Sequence, residues 1–294
     1  MSKPKIICVT GPTASGKTSY AIQLAKKLDG EVVSCDSMQI YKYMNIGTAK
    51  PTKEEMEGIP HHMIDFIDPR ENYSVADYVK DARECIDDIL RRGKTPIVCG
   101  GTGLYMDSLI CGVEFHSEKL DEEYRNELMT YAEKEGADAL YKILEEADSE
   151  AAKKIHPNNI KRVIRALEII KTTGLTKTEA DRRAIKESAY EAEIFGMDMD
   201  REVLYDRINS RVDIMMEQGL LDEVEDLMKM GIPKDSTAMQ AIGYKELITY
   251  FQGECSLEDA VDTIKRESRR YAKRQLTWFR RNSNIKWIKK QHIS

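Results

Sequence analysis

Gly11, Gly16, Lys17 and Thr18 fall at the spacing G-x-x-x-x-G-K-[ST], whose small residues let successive backbone N–H groups turn inward around a phosphate. Lys17 brings a full positive charge to such an anion, and Thr18 a hydroxyl suited to magnesium. Asp36 follows the expected second strand, Glu31–Cys35. A carboxylate beside a polyphosphate is electrostatically costly unless it serves a metal or a proton; the plainer reading is a turn or helix cap. Thr102 sits within Gly100-Gly101-Thr102-Gly103. It reads as a hydroxyl presented where backbone approaches a ligand, or as a plain turn. Arg207 and Arg211 are four apart on one helical face, and a guanidinium can grip phosphate through two parallel hydrogen bonds. These residue types point to polyphosphate chemistry without saying which polyphosphate.

The surrounding elements must bring them together. Lys5 to Thr10 reads as a buried strand running into the loop, and Ala21, Leu24, Ala25 and Leu28 recur at helical spacing behind it. In a parallel sheet the carboxyl ends of neighbouring strands share one crevice, so Asp36 should face the loop's cavity. Ser74 and Asp77 cap a helix with the stripe Val75, Val79, Ala82, Ile86 and Ile89, which Gly93 stops. The strand Pro96–Cys99 should lie beside the first. Nucleotide hydrolases usually keep a magnesium-holding Asp at its end, whereas this strand runs into glycines, which weakens an ATPase or GTPase reading. His61 and His62 are adjacent, so on extended backbone they point to opposite faces and suit strand packing better than a metal.

From 115 to 193 strand alternation stops, and helices are expected near 120–134, 137–146, 149–155, 159–173 and 177–189, with Lys161, Arg162 and Arg165 clustered on one of them. Arg125 is a lone base among acids, the usual setting of an ion pair. A strand at Glu193–Met199 returns to the sheet. Gln240 to Lys245 reads as a loop entering a helix, and Ser256 with Asp259 caps a long basic helix whose Trp278 and Phe279 read as core anchors. The expected fold is α/β: a P-loop NTPase-like core with a parallel-type sheet flanked by helices (1–114 and 194–294), plus an all-helical insertion domain (115–193).

The chain has 294 residues, 41% of them hydrophobic and 33% charged, enough for a large core and a soluble surface. No apolar run approaches membrane-spanning length, and the N-terminal run Ile6–Val9 is too short for a signal peptide, so the expected location is cytoplasmic, without a membrane. Six cysteines without a C-x-x-C pair suggest reduced thiols. The net charge of −6 hides an asymmetry: from Val261 onward 11 Lys or Arg stand against 2 acids, and before it 34 stand against 49. That basic end is a candidate surface for a polyanion, or the solvated face of an amphipathic helix.

GPTASGKT at 11–18, SCDSMQIYK at 34–42, NIGTAKPT at 45–52, GGTGLY at 100–105, KRVIRALE at 161–168, RINSRVDIMMEQGLLDEV at 207–224, QAIGYKEL at 240–247 and AKRQLTWFR at 272–280 together resemble the bacterial tRNA dimethylallyltransferases, over nearly the whole chain. The resemblance implies transfer of a dimethylallyl group from dimethylallyl diphosphate to N6 of the adenosine 3′ to the tRNA anticodon. It places the diphosphate on Gly11, Thr13, Ala14, Ser15, Gly16, Lys17, Thr18 and Arg211, with Mg2+ near Thr18. Asp36 becomes the general base and Thr102 the residue that orients donor or amine. Ser37, Met38 and Gln39 would read neighbouring nucleotides, and Arg125, Lys161, Arg162, Val163, Ile164, Arg165, Gln240 and Lys245 would contact the tRNA anticodon stem-loop. A monomer is the expected state. A small-molecule P-loop kinase and a non-catalytic RNA-binding regulator are the alternatives.

Overall fold

The computed structural model describes residues 3–113, 121–185 and 187–289. The chain forms two compact units, one of Met1–Ile110 with Ala189–Ser294 and the other of Cys111–Ser188. In the first, β1 (Lys5–Thr10) leads through the glycine loop into α1 (Lys17–Leu28), followed by β2 (Gly30–Ser34), β3 (His61–His62), α2 (Val75–Arg91), β4 (Thr95–Gly100) and α3 (Gly103–Ile110).

The second unit is helical: α4 (Glu122–Glu135), α5 (Ala137–Ala147), α6 (Ser149–Ala152), α7 (Ile160–Thr173) and α8 (Lys177–Ala184). Its own core includes Leu140, Leu144, Val163 and Leu167. The chain then returns as β5 (Glu191–Asp198), α9 (Arg201–Glu217), α10 (Leu220–Lys229), α11 (Tyr244–Phe251), α12 (Leu257–Phe279) and β6 (Lys286–Lys289). The expected insertion ended at 193, but the Glu191 amide already donates to Pro4 O at 2.9 Å, so 191–193 belong to the sheet. Its expected first residue, 115, lies outside the described residues.

All pairings in the six-stranded sheet are parallel, in the order β3-β2-β4-β1-β5-β6. Such a sheet is covered on both faces, which explains the near-continuous apolar strands. Val9, Ala21, Ala25, Val32 and Ile97 form the core on the α1 side, and α2 and α3 cover the other with Ile86, Ile89 and Leu109. The buried stripe of α1 is Ala21, Ile22 and Ala25; Leu28, in the last turn, stands 38% exposed. The register places Thr10 opposite both Gly100 and Gly196, and Ser34 opposite Cys99, so β1, β2 and β4 end at one level. A third apolar cluster joins α10, α11 and α12 to Ile40, Tyr41 and Met44. Among the described residues no helix is long and apolar enough to cross a membrane.

At the far edge of the sheet His62 is 2.7 Å from Glu31 Oε2, and Arg92 donates from both Nη atoms to the same carboxylate. The Arg92 hydrogen bonds, with His62 adding to them, hold the buried Glu31 carboxyl down at about 2, against an ordinary 4.5. A folded value below the unfolded one favours the folded state at neutral pH, and this contribution fades as pH falls from about 5 toward 2. Glu31→Gln should therefore lower stability at pH 7 and flatten its loss below pH 5. Urea midpoints of both proteins at pH 3 and pH 7 test this, and parallel acid limbs would refute it.

Candidate active site: an anion cradle facing a carboxylate turn

Between β1 and α1 the backbone turns through left-handed conformations at Ala14 (φ 61°) and Gly16 (φ 84°). At Gly11 (φ 145°) a side chain would be strained, and its Cβ would crowd Met197 at 3.0 Å from Cβ and 3.1 Å from O. The loop opens onto a cavity of about 390 Å³ whose wall includes Thr13, Lys17 and Thr18. Gly11, Ala14 and Ser15 are buried beneath it. Within the loop the Ser15 hydroxyl oxygen is buried without a hydrogen-bond partner, the kind of orphan that a bound oxyanion satisfies.

Arg211, on α9, reaches the same cavity. Among the described residues neither Lys17 nor Arg211 forms an ion pair; Lys17 Nζ donates only to Pro12 O, at 3.3 Å. Burial is the main cause that pulls both cations below their usual pKa values. Arg211 adds to the effect on Lys17, against Cys99 and Asp36, and Arg207 adds to that on Arg211, against Glu55. Two partly desolvated, mutually repelling cations are held where an anion would reverse the penalty on both. Arg207 itself is exposed and does not line the cavity.

Asp36 lines the same cavity, and its charge acts on Lys17. Its Oδ1 accepts the amides of Met38 (2.9 Å) and Gln39 (3.3 Å), closing a turn, while the side chain still lines the cavity with Ser37, Met38 and Gln39. Thr102 is not on the wall. Its hydroxyl oxygen accepts the Ser37 amide at 3.0 Å, and its own amide donates to Cys35 O at 3.2 Å, so it holds the Asp36 turn from behind. The glycines around it are explained by protein contacts: a Cβ on Gly100 would overlap the Cys35 carbonyl, on Gly101 the Gln275 amide, and on Gly103 the Trp278 ring.

Of the residues expected at tRNA, Gln240 and Lys245 line the cavity. In the helical unit Lys161, Arg162 and Arg165 are exposed on α7. Val163 and Ile164 are corrected: at 0% and 2% exposure their side chains are the buried face of that amphipathic helix, which leaves contact to the charged face. Arg125 donates bidentately to the buried Glu168 at 2.7 and 2.8 Å, the ion pair its acidic surroundings suggested. Trp278 and Phe279 are core anchors; Phe279 is 2% exposed and the Trp278 indole donates to Asp107 at 2.7 Å.

Three further cavity residues lie on α12: Arg274 and Gln275 fall within the run AKRQLTWFR and Arg274 within the basic end, whereas Tyr271 was not singled out. Gln275 accepts the Thr13 amide at 2.8 Å and donates to Gly101 O at 2.9 Å, tying the phosphate loop to the β4 exit. Tyr271 lines the cavity near Asp36 and Thr102, with its hydroxyl pKa raised, chiefly by burial. Arg274 lies beside it, 5.7 Å from the Tyr271 ring centroid. For Tyr271 the available pointer is its spacing of three and four residues from Arg274 and Gln275 on one helical face.

Among the described residues no group of three His, Cys, Asp or Glu is placed to hold a metal. The Thr18 hydroxyl at the cradle fits magnesium, which keeps several waters and takes most remaining ligands from substrate phosphates.

Fold and site define a P-loop-type α/β protein whose glycine loop, two buried cations and a carboxylate share one cavity. The comparisons then fix the family. Residues 39–282 match the family model of IPP transferase. The chain is 51% identical over 287 residues to the tRNA dimethylallyltransferase of Bacillus subtilis, covering 98% of this chain and 91% of that protein. The full-length tRNA isopentenylpyrophosphate transferase of Bacillus halodurans superposes with a TM-score of 0.74 at 50% identity, over 98% of this chain and 90% of that one. A eukaryotic dimethylallyltransferase captured acting on tRNA gives a TM-score of 0.81 at 32% identity, over 97% of this chain and 74% of that one. The chain belongs to the IPP transferase family.

Arg211→Ala should weaken inorganic pyrophosphate binding by roughly tenfold to a hundredfold, the scale of one or two charge-assisted hydrogen bonds. The unliganded variant should melt no lower than the parent. Titration calorimetry and a melting curve test both, and unchanged affinity would remove Arg211 from the cradle.

Proposed function

We propose that this chain transfers the dimethylallyl group of dimethylallyl diphosphate to the exocyclic N6 of the adenosine 3′ to the anticodon of tRNA. The observation that carries the reading is that Lys17 and Arg211, without an ion-pair partner among the described residues, line one cavity together with the Asp36 carboxylate. The N6 lone pair attacks C1 of the allyl group, the C1–O bond breaks, and its electron pair leaves on the diphosphate. Lys17, Arg211 and the loop amides stabilise the charge that builds there.

The amine is a poor nucleophile because its lone pair is delocalised into the purine, so the proton it sheds needs an acceptor in place. Asp36 takes it; Oδ1 is engaged with the turn amides, which leaves Oδ2 to face the amine. Thr102 positions this base through Ser37. Magnesium, held by Thr18 with donor oxygens, would supply further charge neutralisation on the leaving diphosphate. A stacked base cannot reach such a site, so the adenosine is taken out of the anticodon loop into the cavity.

The exit of β4 into Gly100-Gly101 supports transfer over hydrolysis, since the leaving diphosphate stays intact and needs no second metal carboxylate. The protein acts as a monomer in the cytoplasm, where its tRNA substrate is found.

Purified protein incubated with unmodified tRNA, dimethylallyl diphosphate and magnesium should add one prenyl unit to the adenosine beside the anticodon, read by mass spectrometry of the loop fragment. ATP consumption without that gain would instead indicate a phosphotransferase. Asp36→Ala should keep tRNA binding and lower kcat by roughly two to four orders of magnitude, the usual contribution of a positioned base. Wild-type turnover in that variant would remove Asp36 from proton transfer.

A further inference from the structure

Part of the cavity wall is the loop at 45–49, of which Gly47, Thr48 and Ala49 line the cavity. Behind it stands Glu223 on α10, which does not line the cavity. Its Oε2 accepts the amides of Asn45 and Ile46, both at 2.8 Å, and its Oε1 accepts the amide of Gly47 at 3.1 Å and the hydroxyl of Tyr244 at 2.6 Å. Three consecutive amides and a phenol on one carboxylate amount to an anion-binding concavity filled by the protein's own side chain. Tyr244 is fully buried, and a Cβ on Gly47 would lie 2.5 Å from its ring, so the loop backbone packs directly against the phenol.

What this loop does next links it to the acceptor side. The carbonyls of Thr48 and Ala49 accept both hydrogen bonds of the Gln39 amide group, at 3.2 and 3.1 Å. Gln39 closes the turn whose other end is the Asp36 carboxylate. The path from Glu223 thus runs through backbone 45–49 and Gln39 to Asp36. It touches neither Lys17 nor Arg211.

We propose that Glu223 and Tyr244 form a positioning pair that sets the acceptor wall of the cavity, and with it the orientation of Asp36, without taking part in diphosphate binding. This inference rests on the prenyl-transfer reading above. Neither residue touches substrate. Their effect is on how often the carboxylate and the wall stand in the productive arrangement, and a misplacement of about 1 Å in such a wall costs as much as a hundredfold in rate.

The test uses the full chain with Glu223→Gln and Tyr244→Phe, which keep shape and remove the charge or the phenol, and with Glu223→Ala. The two conservative variants should lower kcat on tRNA by roughly tenfold and Glu223→Ala by roughly a hundredfold, with KM for dimethylallyl diphosphate within about twofold of the parent. Pyrophosphate calorimetry counts the folded sites, so a fall caused by misfolding shows as lost stoichiometry. Hydrogen exchange at the amides of 45–48 should quicken in each variant while that of β1 and β4 stays slow.

Parental kcat per competent site in both conservative variants, or a donor KM that rises with the loss of kcat, would overturn the inference. So would a kcat loss accounted for by lost stoichiometry, with 45–48 still protected; the pair would then be an element of the fold alone. A parent protein that transfers no prenyl group removes the function and this inference together, whereas an active parent with indifferent variants removes only the inference.

Discussion

At its carboxyl end β4 comes so close to the segment leaving β2 that a Cβ on Gly100 would overlap the Cys35 carbonyl. The contact is stitched in both directions: the Cys35 amide donates to Cys99 O at 2.8 Å, and the Thr102 amide donates back to Cys35 O. Asp36 is the next residue along, so the carboxylate is delivered by main-chain hydrogen bonds rather than by a flexible side-chain arm. Thr10 hydroxyl to Gly100 O, at 3.3 Å, ties the same point to the strand that feeds the cradle. Gln275 closes the remaining side from α12. Anion site and carboxylate are therefore set against each other by backbone geometry, the most rigid means a protein has.

Charge is distributed to the same end. The basic C-terminal segment reads as one polyanion surface when its residues are counted, but in space its cations divide. Arg266 and Arg270 meet Glu267, Lys265 meets Asp213, and Arg269 donates to Asn209. Arg274 alone of the helix's arginines reaches the cavity wall. Exposed pairs of this kind contribute little to stability, and their effect is to blunt a charge run that would otherwise repel itself. Inside the cavity stand Lys17 and Arg211, where burial leaves their charge less screened by solvent and salt.

The parts of the fold that follow from local pattern were legible in the sequence. The strand, glycine loop and helix from Lys5 to Leu28 appear as read, as do the Ser74–Asp77 capping box, the adjacency of β1 and β4, and the run of helices from 122, although the helix expected over 177–189 ends at Ala184. Boundaries moved by a few residues because the ladder that decides them is made with another strand, as at Glu191 and Pro4. Val163 and Ile164 fell among the candidate tRNA contacts because a motif is contiguous in sequence while a helix is not contiguous in exposure; the buried stripe passes through the middle of the run. Of the readings of Asp36, the turn is present, and it engages only Oδ1 of the carboxylate.

What stayed illegible has a common cause. Gln275 and Glu223 act on backbone atoms, at Thr13 and Gly101 and at Asn45, Ile46 and Gly47, that lie between 174 and 262 residues away along the chain. An amide or a carbonyl is present at nearly every residue, so no choice of residue type at the receiving end marks the contact. The phosphate cradle can be read from eight consecutive residues because its own backbone makes the site. The acceptor wall is made by residues whose partners are main chain and distant, and only the folded arrangement shows that α10 and α12 hold the cavity from its two sides.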